Sequence, residues 1–273
     1  MSKKSSFSLK DKVVVVTGGT GILGDTFVKA IADAGGIVGI LGRNKDLAEQ
    51  RAKAINQTGG QALALIADVT KQKELIAARD LMLEKFGRID ALVNGAGGNM
   101  PDAVVQESAD IFDLNLDGLQ KVMNLNLWGT VLPTQIFGAA LAKSPNASIV
   151  NISSMAAQRA ITKILGYSMS KAAIDNYTKW FSLELANRFG DKIRINAIAP
   201  GFFLTEQNRT LLTNSDGSFT QRGHKVIQQT PYKRFGDPEE LSGTLIWLLS
   251  DASRFVTGTV IHVDGGFMIN SGV

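Results

Sequence analysis

Short apolar runs alternate along the chain with stretches of helical periodicity. The first run, 13–16, is four valines in succession, which is typical of a strand buried on both faces of a parallel sheet. The runs that predict strands are 13–16, 37–41, 62–66, 91–93, 148–152, 194–198 and 260–263. Helical spacing covers 23–33, 47–55, 75–86, 111–142, 167–189 and 239–249. This alternation predicts an α/β, doubly wound Rossmann fold with a central parallel sheet of about seven strands and helices on both faces.

One segment, about 202–234, interrupts the alternation. It is rich in Thr, Asn, Gln and Gly, and insertions at such a point commonly cover an active site. We therefore predict a substrate lid there. The rest of the chain carries no repeat, linker or low-complexity tract, so 1–273 is predicted to form a single domain.

Composition narrows the function classes. The net charge of +4 comes from 29 basic and 25 acidic residues that are scattered along the 273 positions, without the basic run that nucleic acid would need. A small anionic ligand fits this balance better. The polar start and the short first apolar run predict neither a signal peptide nor a membrane span, which favours the cytoplasm. With no cysteine, and with His224 and His262 far apart in sequence, we expect no metal site.

A glycine motif follows the first predicted strand. Gly19, Gly21 and Gly24 form a G-x-G-x-x-G pattern that opens a helix. Glycine residues allow a pyrophosphate to approach the backbone closely, and the free amides of the helix N-terminus can donate hydrogen bonds to it. A glycine-rich turn without a ligand is the alternative, but the position between a strand and a helix favours a dinucleotide.

The end of the second strand bears on the coenzyme. An acidic residue there would bind a ribose 2′-hydroxyl, but the chain has Gly42 followed by Arg43 and Asn44. Arginine offers two parallel donors to a 2′-phosphate, so NADP(H) is favoured over NAD(H). A solvated arginine at a strand end is the alternative. Further polar and glycine positions after the third and fourth strands, Asp68, Val69 and 94–97, are predicted to line the nucleotide.

A tyrosine and a lysine four residues apart begin the long helix predicted at 167–189. Tyr167 and Lys171 lie on one helix face, and Ser154 follows the preceding strand. An ammonium group can stabilise a phenolate and bring the pKa of a tyrosine towards the working range. This pair is common by chance, so its meaning depends on the surrounding pattern.

That pattern resembles the short-chain dehydrogenase/reductase family from Val13 to Gly266. It consists of Thr17-Gly18, 94–97, Asn126, Ser154, Tyr167, Lys171 and Pro200-Gly201 in this order. The resemblance implies that Tyr167 is the general acid/base, that Ser154 binds the substrate oxygen, and that Asn126 with Lys171 supports a water relay. Many members have a glycine at the position of Ile22, whereas here the middle glycine is Gly21.

The resemblance also implies coenzyme contacts from the segment 200–205. The predicted coenzyme-binding residues are Gly18, Thr20, Gly21, Ile22, Arg43, Asn44, Asp68, Val69, Asn94, Gly95, Ala96, Tyr167, Lys171, Pro200, Phe203 and Thr205. Family members commonly form homotetramers or homodimers, and this chain is expected to do the same.

Within the family, several stretches are most similar to the branch of D-mannonate oxidoreductases, or fructuronate reductases: 17–24, 94–99, 199–209 and 263–273. That similarity implies an anionic sugar-acid substrate whose keto group is reduced. The predicted substrate-binding residues are Asn99, Ser154, Arg159, Phe202, Gln207 and Asn208, with Arg159 or Lys163 as the partner of a carboxylate. Another sugar-acid or polyol dehydrogenase, such as a gluconate 5-dehydrogenase, is the alternative enzyme. A catalytically silent NADP-binding sensor is the alternative of a different class.

Overall fold

A single parallel sheet forms the centre of the molecule. The structure, a computed structural model, describes residues 6–106 and 108–272, and within these ranges seven strands pair in the order β3-β2-β1-β4-β5-β6-β7. The strands are β1 Val13–Thr17, β2 Ile37–Gly42, β3 Gln61–Ile66, β4 Ala91–Asn94, β5 Ala147–Ile152, β6 Ile193–Pro200 and β7 Val260–Val263. The strand order reverses between β1 and β4, and ligands bind at the carboxyl ends of strands beside such a reversal. The predicted fold class is confirmed.

Helices cover both faces of this sheet. They are α1 Ile22–Asp33, α2 Lys45–Gln57, α3 Gln72–Phe86, α4 Leu116–Met123, α5 Gly129–Leu141, α6 Leu165–Phe189, α7 Glu206–Leu212, α8 Gln221–Gln229 and α9 Ser242–Leu249. The valines of β1 show why both faces need cover, because Val14 and Val16 pack with α1, α2 and α9, whereas Val13 and Val15 pack with α3, α5 and α6. Each buried valine contributes roughly 1.5–3 kcal/mol relative to an exposed one.

The predicted helical region 111–142 is divided into three parts. It begins only at α4, where the side chain of Asn115 accepts a hydrogen bond from the amide of Gly118 (3.0 Å) and so caps the helix. A π-helical turn, Asn124–Trp128, then separates α4 from α5. Such turns insert one extra residue into a helix and often occur at functional sites.

The segment 202–234 packs around a small cluster of buried apolar residues. Leu212, Val226 and Phe235, the last of which directly follows the segment, are buried together, and α7 and α8 pack closely where Gly223 meets the carbonyl oxygen of Leu212. A Cβ atom on Gly223 would lie 2.1 Å from that oxygen, so only glycine allows this approach. The segment is therefore a compact unit beside the carboxyl end of β6. None of the helices within the described ranges is both long enough and apolar enough to cross a membrane.

Candidate active site

The side chains of Ser154 and Tyr167 meet at the carboxyl edge of the sheet. Ser154 follows the end of β5, and Tyr167 lies in the first turn of α6. Both side chains line a cavity of about 340 Å³. Burial raises the pKa of Tyr167, and the neighbouring hydroxyl of Ser154 opposes that rise. The phenol is therefore protonated at neutral pH and can donate a proton into the cavity.

Lys171 lies one helical turn after Tyr167 and is buried. Its Nζ atom donates to the carbonyl oxygen of Ile152 (2.7 Å) and lies 5.4 Å from the centre of the Tyr167 ring. Burial lowers its pKa to about 8, although the carboxylate of Asp175 acts in the opposite direction. An ammonium group in this position stabilises negative charge on the phenol oxygen.

Asp175 supplies a buried negative charge that the sequence analysis missed. It lies one turn beyond Lys171 on α6, and its carboxylate accepts hydrogen bonds from Ser153 Oγ, at short range, and from Gln158 Nε2 (3.0 Å). Buried charges in proteins are normally paired or hydrogen-bonded, and this one accepts two hydrogen bonds. The four-residue spacing from Lys171 is the sequence signal that could have identified it.

Asn126 lies in the π-helical turn, and its side chain is fully buried. Nδ2 donates to the carbonyl oxygens of Gly98 (2.8 Å) and Val122 (2.8 Å), and Oδ1 accepts from the amide of Gly98 (3.0 Å). A Cβ atom on Gly97 would lie 2.6 Å from Asn126 Oδ1 and 3.4 Å from Lys171 Nζ. Asn126 thus holds the loop after β4 next to the buried ammonium group.

A second cleft of about 310 Å³ lies at the point where the strand order reverses. The residues that line it are Gly18, Thr20, Gly21, Leu41, Gly42, Arg43, Ala67, Asp68, Val69, Gly95, Ala96, Gly97, Gly98, Asn99, Met100 and Leu125. Gly98 and Asn99 also line the cavity at Tyr167, so the two spaces adjoin.

The cleft fits a dinucleotide. The N-cap of α1 is Gly21, and it has no side chain to bond the first amides of the helix, so these amides are available to a phosphate. Gly18 has a φ of +68°, and a Cβ atom on it would lie 2.7 Å from the amide nitrogen of Ala96. Glycine at this position lets the loop after β1 lie directly against the loop after β4.

The end of β2 forms one wall of the cleft. A Cβ atom on Gly42 would lie 2.4 Å from the hydroxyl of Thr20, so a carboxylate does not fit there without displacing that side chain. The Arg43 side chain is 77% exposed, and its guanidinium group lies 3.8 Å from the carboxylate of Asp68. The guanidinium group therefore keeps most of its donors directed to solvent at the rim.

The remaining predicted coenzyme residues occupy other positions. Asn94 is buried and donates to Thr134 Oγ1 (3.0 Å) and Asn151 Oδ1 (2.9 Å), which ties β4 to its neighbours. Asn44 caps α2 through the amide of Leu47 (3.1 Å). Ile22 is the first residue of α1, and Pro200 is the last residue of β6. Phe203 is buried against Gly236. Thr205 lines the cavity at Tyr167.

Most, but not all, of the predicted substrate-binding residues line the cavity at Tyr167. Asn99, Ser154, Phe202 and Asn208 line the cavity. Arg159 does not, because its guanidinium group donates to the carbonyl oxygens of Met268 (2.6 Å) and Asn270 (2.8 Å) and so fastens the C-terminal segment. The side chain of Gln207 lies outside what the structure describes. Lys163 and Arg222 line the cavity, and the sequence analysis missed Arg222.

Comparisons with known proteins agree with this geometry. A family model described as enoyl-(acyl carrier protein) reductase matches residues 20–268. The uncharacterised oxidoreductase UxuB of Bacillus subtilis strain 168 is 44% identical over 275 residues, covering 97% of this chain and 98% of the relative.

Two solved structures extend the comparison. A provisional D-mannonate oxidoreductase from Haemophilus influenzae with bound NAD is 39% identical, with a TM-score of 0.90 over 99% of this chain and 100% of that one. A gluconate 5-dehydrogenase from Burkholderia cenocepacia, in complex with NADP and tartrate, is 31% identical, with a TM-score of 0.84 over 97% of this chain and 98% of that one.

Proposed function

The chain belongs to the short-chain dehydrogenase/reductase family and is a nicotinamide-dependent oxidoreductase, and from this premise we propose that it interconverts D-fructuronate and D-mannonate. The observation that carries the substrate class is the charge of the cavity at Tyr167. Within the described residues, its charged lining side chains are Lys163 and Arg222, and both are basic. Basic side chains on the wall of a cavity favour an anionic substrate. The likeness to the Haemophilus influenzae protein supports a sugar acid as that substrate.

The proposed reaction distributes its steps among four side chains. When bound, the nicotinamide supplies a hydride to the keto carbon. Tyr167 gives its phenolic proton to the substrate oxygen, and with the hydride the carbonyl becomes an alcohol. Ser154 holds that oxygen, Lys171 stabilises the phenolate that remains, and Asn126 with Lys171 supports the water relay that returns a proton to it. In the oxidative direction the same side chains carry out the reverse steps.

Turnover of defined sugar acids tests the substrate. Purified protein is mixed with D-fructuronate, and the absorbance of NADPH and of NADH is followed separately, with Tyr167→Phe as the control and D-mannonate for the reverse direction. D-Gluconate and 5-keto-D-gluconate test the alternative of a gluconate 5-dehydrogenase, which the Burkholderia cenocepacia structure supports. If only these two compounds are turned over, the enzyme is a gluconate 5-dehydrogenase and D-fructuronate is not its substrate. Absence of turnover with every sugar acid would favour a silent NADP-binding sensor, against which the joint presence of Ser154, Tyr167 and Lys171 argues.

We propose NADP(H) as the favoured coenzyme, with Arg43 as the residue that recognises the 2′-phosphate. Arg43→Ala is expected to lower kcat/KM for NADPH about 10-fold and to change that for NADH less than about 2-fold, because a charged hydrogen bond at an exposed rim is lost. Steady-state kinetics with both coenzymes measure this. The control is Arg188→Ala, which removes an exposed arginine paired with Glu184 far along α6. A wild-type protein that prefers NADH would contradict the proposal.

The reductive rate is expected to depend on the charge of Lys171. A lysine carries its charge below its pKa, so kcat for reduction should fall as the pH rises through about 8. Asp175→Asn removes the carboxylate that raises the Lys171 pKa, so the fall should begin at lower pH. Profiles of kcat across about pH 6 to 10 compare the two proteins, with the exposed Asp113→Asn as the matched control. Superimposable profiles would show that Asp175 does not tune Lys171.

Assembly into a homodimer or homotetramer stays a prediction. Trp128, Trp180 and Leu183 are 53%, 60% and 61% exposed and lie on neighbouring helical segments. Large apolar side chains grouped at a surface mark an interaction site. We place the predicted contact between copies of the chain on this face.

A further inference from the structure

The cavity at Tyr167 has polar groups at the reacting end and basic groups elsewhere on its wall. In the proposed reaction, Ser154 and Tyr167 hold the substrate oxygen at one end of this cavity. Lys163 precedes α6 in a left-handed conformation with a φ of +73°, whereas Arg222 comes from α8 in the segment 202–234. Two separate parts of the chain therefore each bring one cation to the same space.

The position of Arg222 is fixed by the packing of α7 against α8. The side chain of Thr220 caps α8 by accepting from the amide of Gly223 (3.1 Å), and the Thr220 hydroxyl donates to the carbonyl oxygen of Leu211 (2.7 Å). Gly223 lies directly on Leu212, which itself lines the cavity. These contacts hold the residue between them, Arg222, at the wall of the cavity.

The guanidinium group of Arg222 has donors to spare. Among the described residues its one hydrogen bond is from Nη1 to Thr162 Oγ1, at 3.5 Å, which is long for such a bond. A guanidinium group has five N–H donors. Arg222 also stands in the first turn of a helix, where the helix dipole disfavours a cation. Folding alone does not explain a half-buried arginine here, whereas an anionic ligand would satisfy its donors and its charge.

We propose that Arg222 recognises the carboxylate of the substrate and so determines the preference of the enzyme for sugar acids over neutral sugars. This inference rests on the proposed function, and it names the contact through which the enzyme would select a sugar acid. In D-fructuronate a run of hydroxyl-bearing carbons separates the carboxylate from the keto carbon, so the two ends reach different parts of one cavity. The planar guanidinium group binds a carboxylate through two parallel hydrogen bonds, which a lysine cannot do.

The test compares a charged substrate with its neutral counterpart. D-Fructose carries a hydroxymethyl group where D-fructuronate carries the carboxylate, so kcat/KM is measured for both with wild type, Arg222→Gln and Arg222→Lys. The matched control is Lys225→Gln, which removes one exposed positive charge from the same helix outside the cavity. Arg222→Gln is expected to lower kcat/KM for D-fructuronate about 10- to 100-fold and that for D-fructose less than about 2-fold, because a charged hydrogen bond is lost only with the acid. Arg222→Lys should restore part of the loss.

Calorimetric binding of D-mannonate to the NADPH-loaded protein, a pair that cannot exchange a hydride, separates the failure of this inference from that of the proposed function. If wild type turns over or binds the sugar acid and Arg222→Gln does so equally well, the inference alone is overturned. A loss shared equally by D-fructuronate and D-fructose also overturns it, because Arg222 would then be structural. An acid-selective loss in Lys163→Gln but not in Arg222→Gln would assign the carboxylate to the lysine. A wild-type protein that neither reduces nor binds any sugar acid would overturn both proposals.

Discussion

Tyr167→Phe should lower the rate of carbonyl reduction by about 100- to 10,000-fold, which is the usual contribution of a positioned general acid. The phenylalanine ring keeps the volume and packing of the tyrosine at the start of α6, so the expected loss is that of the proton donor alone. Ser154 stays in place, because its hydroxyl also accepts from the amide of Ala156 (3.2 Å). The measurement is kcat for D-fructuronate at saturating NADPH.

Two controls separate chemistry from folding in this variant. Tyr177→Phe makes the same change further along α6, at a ring that stacks on Phe181 with 5.0 Å between centroids, and it should leave kcat within about 2-fold. The Kd for NADPH of Tyr167→Phe should change far less than kcat, because Tyr167 is one of many predicted coenzyme-binding residues. Retention of a tenth or more of the wild-type kcat would show that another group supplies the proton.

The fold was predictable because its signals are local. A strand buried on both faces needs a continuous apolar run, and the runs at 13–16, 91–93 and 260–263 agree with β1, β4 and β7 to within one residue. The glycine motif and the spacing of Tyr167 and Lys171 are local as well, because each depends on the geometry of one helix start.

Features that depend on distant contacts were not predictable. The π-helical turn at Asn126 is accompanied by hydrogen bonds to Gly98, which belongs to the loop after another strand. Arg159 follows Ser154 closely in sequence, but the carbonyl groups of Met268 and Asn270 hold it away from the cavity. Arg222 is brought there only by the packing of α8 on α7. No periodicity in the sequence encodes any of these contacts.

Asp175 is an intermediate case. Its spacing from Lys171 is visible in the sequence, but a carboxylate on a helix is usually solvated. Its significance comes from burial and from the hydrogen bonds of Ser153 and Gln158, which lie beyond the end of β5. The helix places Asp175 one turn from Lys171, and burial by the rest of the fold makes its charge important for the pKa of Lys171.

Gly24→Ala should abolish tight coenzyme binding, with the Kd for NADPH raised at least about 100-fold, or about 2.7 kcal/mol. A Cβ atom on Gly24 would lie 2.1 Å from the carbonyl oxygen of Gly18 and 2.9 Å from the Cα atom of Gly19. These are backbone atoms of the loop that is predicted to bind the coenzyme phosphates, so the loop cannot make room for the added Cβ atom without changing its own shape. Overpacking of this kind also lowers the free energy of unfolding by about 1–3 kcal/mol.

The matched control for Gly24→Ala is Gly243→Ala. Gly243 lies in the first turn of α9, as Gly24 does in α1, and a Cβ atom there would meet nothing within 4 Å. Because alanine favours a helix over glycine by up to about 1 kcal/mol, this control should be as stable as wild type or more so, with unchanged NADPH affinity. Calorimetric titration with NADPH and thermal unfolding measure both variants. If Gly24→Ala bound NADPH within a few-fold of wild type, the close approach of α1 to the loop would not be what shapes the phosphate site.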